Sequence, residues 1–348
     1  MSINTLNVAV IGAGRMGLTH HSIINTLPGA KVTAVADPSG AVTSLLEKYS
    51  GVRAYKDHAA MLEREPLDAV LVCTPPAHNE PILRHVLARG LHAFVEKPFV
   101  LSSAQGLELA REFTEKRLVN QVGYVNRFND VFMRARHLVG EGLLGKVFRF
   151  RSEMFSGTII REQEQSNWRA THENGGGVVY EMASHAIDLI NYLFGRPDRV
   201  EGTCLTRVFS RDVEDIASSS LFYRNGLAGT LYVNWSDESY RKPTNKLEIH
   251  GEKGKILADQ HGMKVYLRAA SPAHGVAAGW NDVYITDVFS NVPFYLRGIE
   301  FTAQLDHFVQ CVRSRSATRC SFADAAATII VAEQMFRNHA DIAGGLNA

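Results

Sequence analysis

Glu96, Lys97 and Pro98 directly follow an apolar run, Leu91 to Val95, which reads as a short buried strand. In an open parallel sheet, ligands bind beyond the carboxyl ends of the strands. Lys97 would then stand at the mouth of a cleft. There its ammonium group can donate hydrogen bonds to a hydroxyl or carbonyl, or take part in proton transfer. The tripeptide alone also allows a second interpretation, in which Lys97 is an ordinary surface residue at the end of a strand.

A second polar pattern lies on a predicted helix that follows the turn Gly175-Gly176-Gly177. A regular helix places Glu181, His185 and Asp188 on one face. Histidine titrates near neutral pH, so this face suits acid–base chemistry. The same stripe is also compatible with a solvated helix face or a surface ion pair. We expect no metal site, because no further cluster of ligand residues accompanies the pattern.

The sequence Gly12-Ala13-Gly14-Arg15-Met16-Gly17 follows the first predicted strand and opens a helix. Its glycines permit a tight turn, a close backbone approach to a pyrophosphate, and close packing of helix on strand. The exposed amides and the helix dipole favour the phosphate charge. Asp37 ends the second strand, where a carboxylate binds the adenosine ribose hydroxyls and repels a 2′-phosphate. We therefore expect these residues to bind NAD, and NADP is less favoured.

Further positions are predicted to line the dinucleotide site. Thr74 and Pro75 end the fourth strand, and His78 starts the next helix close by. His78 is as consistent with a helix start as with a ligand contact. Glu96 and Lys97 end the fifth strand at the same edge, and Glu96 is expected to orient the lysine or to contact the nicotinamide ribose.

Two kinds of domain must position these residues. Residues 1–122 alternate apolar strands with helices, which predicts an α/β Rossmann domain with a doubly wound parallel sheet. Residues 123–348 are predicted to form an α+β domain with a large, mostly antiparallel, open-faced sheet. Residues 269–293 are Ala- and Gly-rich and are expected to be an irregular loop. The open sheet face is expected to pack on another copy, giving a homodimer or homotetramer.

Bulk composition argues against several classes of protein. The 348 residues carry a formal net charge of +1, so no strong field indicates a nucleic-acid or membrane partner. No apolar run reaches the roughly 18 residues of a membrane span. The four cysteines are scattered without a CxxC pair, which favours reduced thiols over metal or disulfide roles. The N-terminus shows no signal-peptide pattern, so we expect a cytoplasmic location.

Together, these motifs resemble the glucose-fructose oxidoreductase / inositol dehydrogenase family (Gfo/Idh/MocA). The resemblance rests on the N-terminal glycine motif, on Glu-Lys-Pro after the fifth strand, and on the triple glycine before the acid, histidine and aspartate. The segment Gly123 to Phe128 and the sequence Asn167-Trp168-Arg169 also resemble family motifs. The resemblance covers nearly the whole chain.

The resemblance implies an NAD-dependent dehydrogenase that oxidises a secondary hydroxyl of a sugar, a sugar derivative or an inositol-like cyclitol. It implies that His185 accepts the hydroxyl proton while Lys97 stabilises the developing alkoxide. Lys97 as the proton acceptor is the alternative. Asp188 is expected to bond the framework instead. The predicted substrate contacts are Glu181, Arg127, Trp168 and Tyr124.

One residue departs from the family pattern. The acid four residues before the histidine is usually aspartate in the sugar and cyclitol dehydrogenases, and here it is Glu181, whose extra methylene changes which hydroxyl it reaches. Arg127, Arg161 and Arg169 leave open an anionic substrate, such as a sugar acid or nucleotide sugar. Also open are an enzyme that cycles a tightly bound cofactor, a reductase of imines or enol ethers, and a non-catalytic dinucleotide-binding sensor.

Overall fold

The computed structural model describes residues 5–161 and 168–339, and these divide into two compact units. The first unit contains the described residues up to Val125, together with Asn291–Ala326. The second unit contains the remaining described residues. Among the residues described, no helix is long and apolar enough to cross a membrane.

The first unit has a parallel sheet with helices between its strands. Its described strands are β1 (Leu6–Ile11), β2 (Ala30–Ala36), β3 (Arg53–Tyr55), β4 (Ala69–Val72), β5 (His92–Val95) and β6 (Asn120–Val122). The helices between them are α1 (Arg15–Thr26), α2 (Gly40–Ser50), α3 (His58–Arg64), α4 (Asn79–Ala88) and α5 (Ser103–Glu115). The strand order β3-β2-β1-β4-β5-β6, with parallel pairing, is that of a doubly wound dinucleotide-binding sheet.

The apolar central strands explain why this sheet is covered on both faces. Strands β4 and β5 read Ala-Val-Leu-Val and His-Ala-Phe-Val, and all of their residues are buried. Directly after these strands the chain becomes less buried, at Cys73-Thr74 and at Glu96-Lys97. Because β1, β4 and β5 are parallel neighbours, the residues that follow them share one edge of the sheet.

The second unit combines helices with one large sheet. Its described helices are α6 (Asp130–Gly140), α7 (Thr158–Arg161), a π-helix (Val179–Ala183) that continues as α8 (Ser184–Phe194), and α9 (Ile285–Val288). Its described strands are β7 (Val147–Phe155), β8 (Arg199–Thr206), β9 (Ile216–Phe222), β10 (Ala228–Asn234), β11 (Thr244–Gly251), β12 (Gly254–Asp259), β13 (Gly262–Leu267) and β14 (Gly279–Tyr284). The order is β14-β13-β12-β11-β7-β10-β9-β8, antiparallel except for the β7–β10 pair.

One face of this large sheet packs against helices. Buried and half-buried residues alternate along β9, β10 and β11, as expected when one face is covered. Leu231 and Trp235 pack in one core cluster with Ile187 and Ile190 of α8. This packing anchors the helix that carries His185. The predicted fold class, a Rossmann sheet with an additional mostly antiparallel sheet, is confirmed.

The prediction of an irregular loop at residues 269–293 was wrong in part. Residues Gly279–Tyr284 form β14, which pairs antiparallel with β13. Half-buried and exposed residues alternate along this strand, so it lacks the buried apolar residues that mark the inner strands. An edge strand has only one neighbour, and its weak apolar signal explains the error.

The predicted division at residue 122 also differs from the structure. The segment Asn291–Ala326 belongs to the first unit, although the sequence suggested the second. Its helix α10 (Ile299–Ser314) contributes Leu305 and Phe308 to the core cluster that contains Val8 of β1. The sequence of an apolar helix face does not say which sheet covers it. The last described helix is α11 (Phe322–Arg337).

Candidate active site

Backbone geometry explains two of the three loop glycines by packing within the chain. Gly12 has φ +90°, and a Cβ there would lie 2.8 Å from the carbonyl oxygen of Cys73. A Cβ on Gly17 would lie 1.9 Å from the carbonyl oxygen of Gly12. Gly14 differs, because it is exposed and a Cβ there would meet no described atom within 4 Å. The backbone at Gly14 is therefore open to a ligand, and the loop fits the pyrophosphate of NAD.

Asp37 is bonded to this loop. Its Oδ2 accepts the amide hydrogen of Ala13 at 2.7 Å, and its Oδ1 accepts that of Ser39 at 2.8 Å. The carboxylate predicted to bind the adenosine ribose therefore also fixes the turn between Gly12 and Gly14. A negative charge held here disfavours a 2′-phosphate, which is consistent with NAD as the cofactor.

The remaining predicted cofactor contacts lie at the starts of helices α1 and α4. Arg15 and Met16 open α1, with Arg15 exposed and Met16 half-buried. Pro75 is half-buried and lies just before the turn Pro76–His78, which leads into α4. His78 is exposed at the end of this turn. Contacts between these side chains and the cofactor therefore stay predictions.

A buried asparagine connects the ends of β4 and β5. The hydroxyl of Thr74 donates to Oδ1 of Asn79 at 2.8 Å. The Nδ2 of Asn79 donates to the carbonyl oxygens of Pro98 (3.2 Å) and Phe99 (3.1 Å). Asn79 therefore fixes the segment directly after Lys97. Sequence reasoning did not single out Asn79, because its contacts with Pro98 and Phe99 join residues about 20 positions apart.

Glu96 is enclosed by three elements of the first unit. Its Oε1 lies 2.5 Å from Nε2 of His20 on α1, and its Oε2 accepts the backbone amide of Lys97 at 3.2 Å. A Cβ on Gly123, just after β6, would lie only 3.1 Å from Oε1. Lys97 itself is half-buried. Sequence reasoning missed His20, for which the one available signal was its position three residues after the last loop glycine.

Charged groups surround this edge of the sheet. Burial raises the pKa of the Cys73 thiol well above its usual value, and the charge of Glu96 raises it further, so the thiol stays protonated. Burial lowers the pKa of Arg297, the nearby charge of Arg15 lowers it further, and Glu96 opposes both effects. Two guanidinium groups thus lie close enough to repel each other, and one of them opens α1.

In the second unit, the helix with the predicted catalytic face begins as a π-helix. Glu181 lies within the π-helix, whereas His185 lies in the first turn of α8. The spacing predicted a regular helix, and the wider π turn offsets Glu181 from that pattern. Of the residues Ser184 to Ile190, all described, His185 alone is not buried. The His185 side chain is half-buried, and its Nδ1 is a buried atom.

Arg127, a predicted substrate contact, is buried in the second unit and paired with a carboxylate. Its guanidinium forms a bidentate pair with Asp188, with N–O distances of 2.8 to 3.1 Å. The two side chains are only 4% and 0% exposed. The ring of Tyr192 covers the guanidinium at 5.2 Å from Cζ. The sequence could not reveal this pairing, since the partners are far apart along the chain, and both residues hold the framework around α8.

Glu181 is held by another arginine. The Nε of Arg169 donates to Oε1 of Glu181 at 3.1 Å, and the guanidinium of Arg169 lies 4.8 Å from the ring of Trp168. Trp168 is half-buried. Asn167 and the side chain of Arg161 lie outside the described residues.

Tyr124 is also not placed as a substrate contact. Its side chain is fully buried in the core cluster of the first unit, together with Phe99 and Val122. An aromatic residue just after a strand is compatible with a core position or with a site, and the structure shows the core position.

In the part of the chain that the structure describes, no group of three or more His, Cys, Asp or Glu residues could hold a metal ion.

The open glycine loop on a doubly wound sheet and the lysine beyond β5 define the class of protein, a nicotinamide-dependent oxidoreductase. A model described as the oxidoreductase family NAD-binding Rossmann fold matches residues 6–124. A model described as the GFO/IDH/MocA C-terminal domain matches residues 132–257. The chain belongs to the Gfo/Idh/MocA family. It is an oxidoreductase with an NAD-binding Rossmann domain, and the predicted family, enzyme class and cofactor are confirmed.

Similar proteins include several sugar and cyclitol enzymes. The scyllo-inositol 2-dehydrogenase (NAD(+)) of Bacillus subtilis (strain 168) is 25% identical, over 95% of this chain and 94% of that protein. A 2,7-anhydro-N-acetylneuraminate hydratase of Mediterraneibacter gnavus is 27% identical, over 74% and 68%. A levoglucosan dehydrogenase, solved with NADH and levoglucosan, superposes with a TM-score of 0.85 over 96% of this chain and 97% of that chain, at 19% identity. This last likeness shows the fold alone.

Proposed function

We propose that the protein oxidises a secondary hydroxyl of a sugar, a sugar derivative or an inositol-like cyclitol by hydride transfer to NAD. The observation that carries the proposal is the half-buried Lys97, set directly beyond β5 of an NAD-binding sheet. Support for the substrate class comes from the similar proteins, which include an inositol dehydrogenase that aligns over almost its entire length.

In this proposal, His185 accepts the proton of the substrate hydroxyl. Lys97 donates a hydrogen bond to the same oxygen and stabilises the negative charge that develops on it. NAD⁺, when bound, supplies the acceptor for the hydride. Asp37 holds the adenosine ribose. Glu181, oriented by its arginine partner, binds a neighbouring substrate hydroxyl, and Trp168 supplies an apolar wall for the sugar ring.

A substrate panel tests this function. Inositols, aldoses, sugar acids and nucleotide sugars are each offered with NAD⁺ or NADP⁺, and formation of reduced nicotinamide is followed by absorbance. We expect a neutral cyclitol or sugar to be oxidised with NAD⁺. The ion pairs made by Arg127 and Arg169 weaken the case for an anionic substrate, since both guanidinium groups are already bonded to carboxylates.

A second candidate function is a reaction without net oxidation, in which the cofactor stays bound and is regenerated within each turnover. The hydratase among the similar proteins favours it, because hydration changes no net oxidation state. Release of NAD or NADH from the purified, denatured protein would support this candidate. Reduction of added NAD⁺ in many turnovers would support the dehydrogenase instead.

We also propose that the protein forms a homodimer or homotetramer through the open face of the large sheet. On this face, a groove over β7, β11, β12 and β13 is lined by acidic, basic and apolar residues. One ion pair there joins Arg151 to Glu248 at 3.1 Å. Light scattering at micromolar concentration is expected to give the mass of a dimer or tetramer, and the mass of a monomer would exclude the proposal.

A further inference from the structure

His20 lies on α1, within one helical turn of the last loop glycine, and its side chain is fully buried. Its Nε2 lies 2.5 Å from Oε1 of Glu96. The imidazole ring packs edge-on against Phe94 of β5, with ring centroids 5.2 Å apart. Its other nitrogen, Nδ1, is buried and has no hydrogen-bond partner among the described residues. Among the described residues, Glu96 is therefore the hydrogen-bond partner of the His20 side chain.

The environment of the ring indicates which nitrogen carries the proton. A proton on Nδ1 would be a buried donor without an acceptor, and such groups cost free energy. A proton on Nε2 instead makes a short bond to a carboxylate, one of the stronger hydrogen bonds in proteins. His20 therefore donates its Nε2–H to Glu96.

The Glu96 carboxylate has little freedom to move elsewhere. Only 12% of its side chain is exposed, and its second oxygen accepts the amide hydrogen of Lys97. Gly123 leaves room for the carboxylate, since a Cβ there would approach Oε1 to 3.1 Å and Cδ to 3.2 Å. One imidazole on α1 thus fixes a carboxylate, and this carboxylate holds the backbone at Lys97.

We propose that His20 is a positioning residue for hydride transfer. Its Nε2–H holds the Glu96 carboxylate, the carboxylate holds the Lys97 amide, and the amide sets the direction from which the lysine reaches the substrate oxygen. The inference rests on the proposed function, because it assumes that Lys97 acts on the substrate. It assigns a role to a buried side chain that itself touches neither substrate nor the reacting atoms.

A double-mutant cycle tests this role. His20→Leu keeps an apolar side chain without a donor, whereas His20→Gln keeps an amide N–H near the position of Nε2. We expect His20→Leu to lower kcat about 10- to 100-fold, because small misplacements of a catalytic group cost this much. His20→Gln should stay within about threefold of the parent, and the substrate KM should change little in both. In a Glu96→Gln background, His20→Leu should lower kcat by less than about twofold more.

The matched control is His21→Leu. His21 is the next residue of the same helix, and its Nε2 contacts Asn25 at 3.2 Å rather than Glu96. This variant should change thermal stability without a specific loss of kcat. Losses from His20→Leu and Glu96→Gln that multiply fully in the double variant would overturn the proposal. If His20→Leu does not fold, His20→Asn replaces it, because its shorter side chain does not extend to the Nε2 position.

A readout without turnover separates this inference from the proposed function. Hydrogen–deuterium exchange at the Lys97 amide should be faster in His20→Leu and Glu96→Gln than in the parent, and nearly parental in His20→Gln. Unchanged exchange in His20→Leu would overturn the inference even if a substrate is found. A second outcome is faster exchange at the Lys97 amide in His20→Leu together with no oxidation of any panel substrate by the parent. This outcome would support the contact between His20 and Glu96 and would refute the proposed dehydrogenase function.

Discussion

Gly14→Ala and Gly17→Ala add the same methyl group to one loop, and the structure predicts a small effect on stability at Gly14 and a large loss at Gly17. At Gly14 the backbone has φ −68° and ψ −171°, which alanine adopts without strain, and the methyl meets no described atom within 4 Å. We expect the free energy of unfolding to change by less than about 1 kcal/mol, because a stiffer unfolded chain offsets a weaker helix N-cap. At Gly17 the methyl would lie 1.9 Å from a carbonyl oxygen, and the forced backbone shift should cost about 1–3 kcal/mol or more.

The effects on cofactor affinity follow from the same geometry. The methyl of Gly14→Ala would occupy the space through which the pyrophosphate approaches the loop amides. Loss of one hydrogen bond to a charged group costs about 1.5–3 kcal/mol, which corresponds to roughly 10- to 150-fold weaker NAD binding. Gly14→Ala should therefore fold like the parent and bind NAD poorly.

Calorimetric titration and thermal unfolding with and without NAD measure both quantities. At an NAD concentration that saturates the parent, the unfolding temperature of the parent should rise, and that of Gly14→Ala should rise by a clearly smaller amount. If Gly14→Ala bound NAD within about threefold of the parent, a difference below 1 kcal/mol, the dinucleotide would not lie over this loop.

Three further predictions concern the proposed catalytic residues, the buried ion pair of α8, and a buried carboxyl group. Lys97→Ala and His185→Ala should keep the parental unfolding temperature and lose about 100-fold or more in kcat, measured with the best panel substrate. Asp188→Ala removes the carboxylate that pairs with the buried Arg127 guanidinium and should cost about 3–5 kcal/mol in urea unfolding, and a cost below 1 kcal/mol would refute a stabilising role for the buried pair. Burial raises the pKa of Glu214 from 4.5 to about 7. The folded state therefore binds this proton more tightly, and stability should fall as pH rises through this interval. Glu214→Gln should flatten this slope in a pH series of unfolding temperatures.

The sequence was sufficient for features that depend on local chemistry. Alternating apolar strands and helices predicted the order of elements in the first unit, since its strands are largely apolar and β4 and β5 are buried along their length. The glycine spacing predicted a loop in which Gly12 and Gly17 pack too closely for any other residue. Glu96 and Lys97 were predicted at a strand end, and they follow β5 directly.

The sequence was insufficient where distant residues form pairs. His20 and Asn79 are buried polar residues whose partners lie elsewhere in the chain, and an unaligned sequence carries no signal for such contacts. Arg127 resembled a substrate contact until its partner Asp188 was located. The π turn at Val179–Ala183 follows Gly177, where a Cβ would lie 2.4 Å from a Glu214 oxygen. Periodicity assumed a regular helix and could not detect this.

The most direct test of the central claim follows a hydride from carbon to cofactor. The cyclitols and sugars of the panel, deuterated at their carbinol carbons, are incubated with NAD⁺, and the mass of the NADH formed is measured. We expect the parent to form NADH that carries deuterium from one neutral substrate, and we expect Lys97→Ala to form almost none. Deuterium released into water, or turnover of the substrate without any NADH, would contradict hydride transfer from the substrate to NAD⁺.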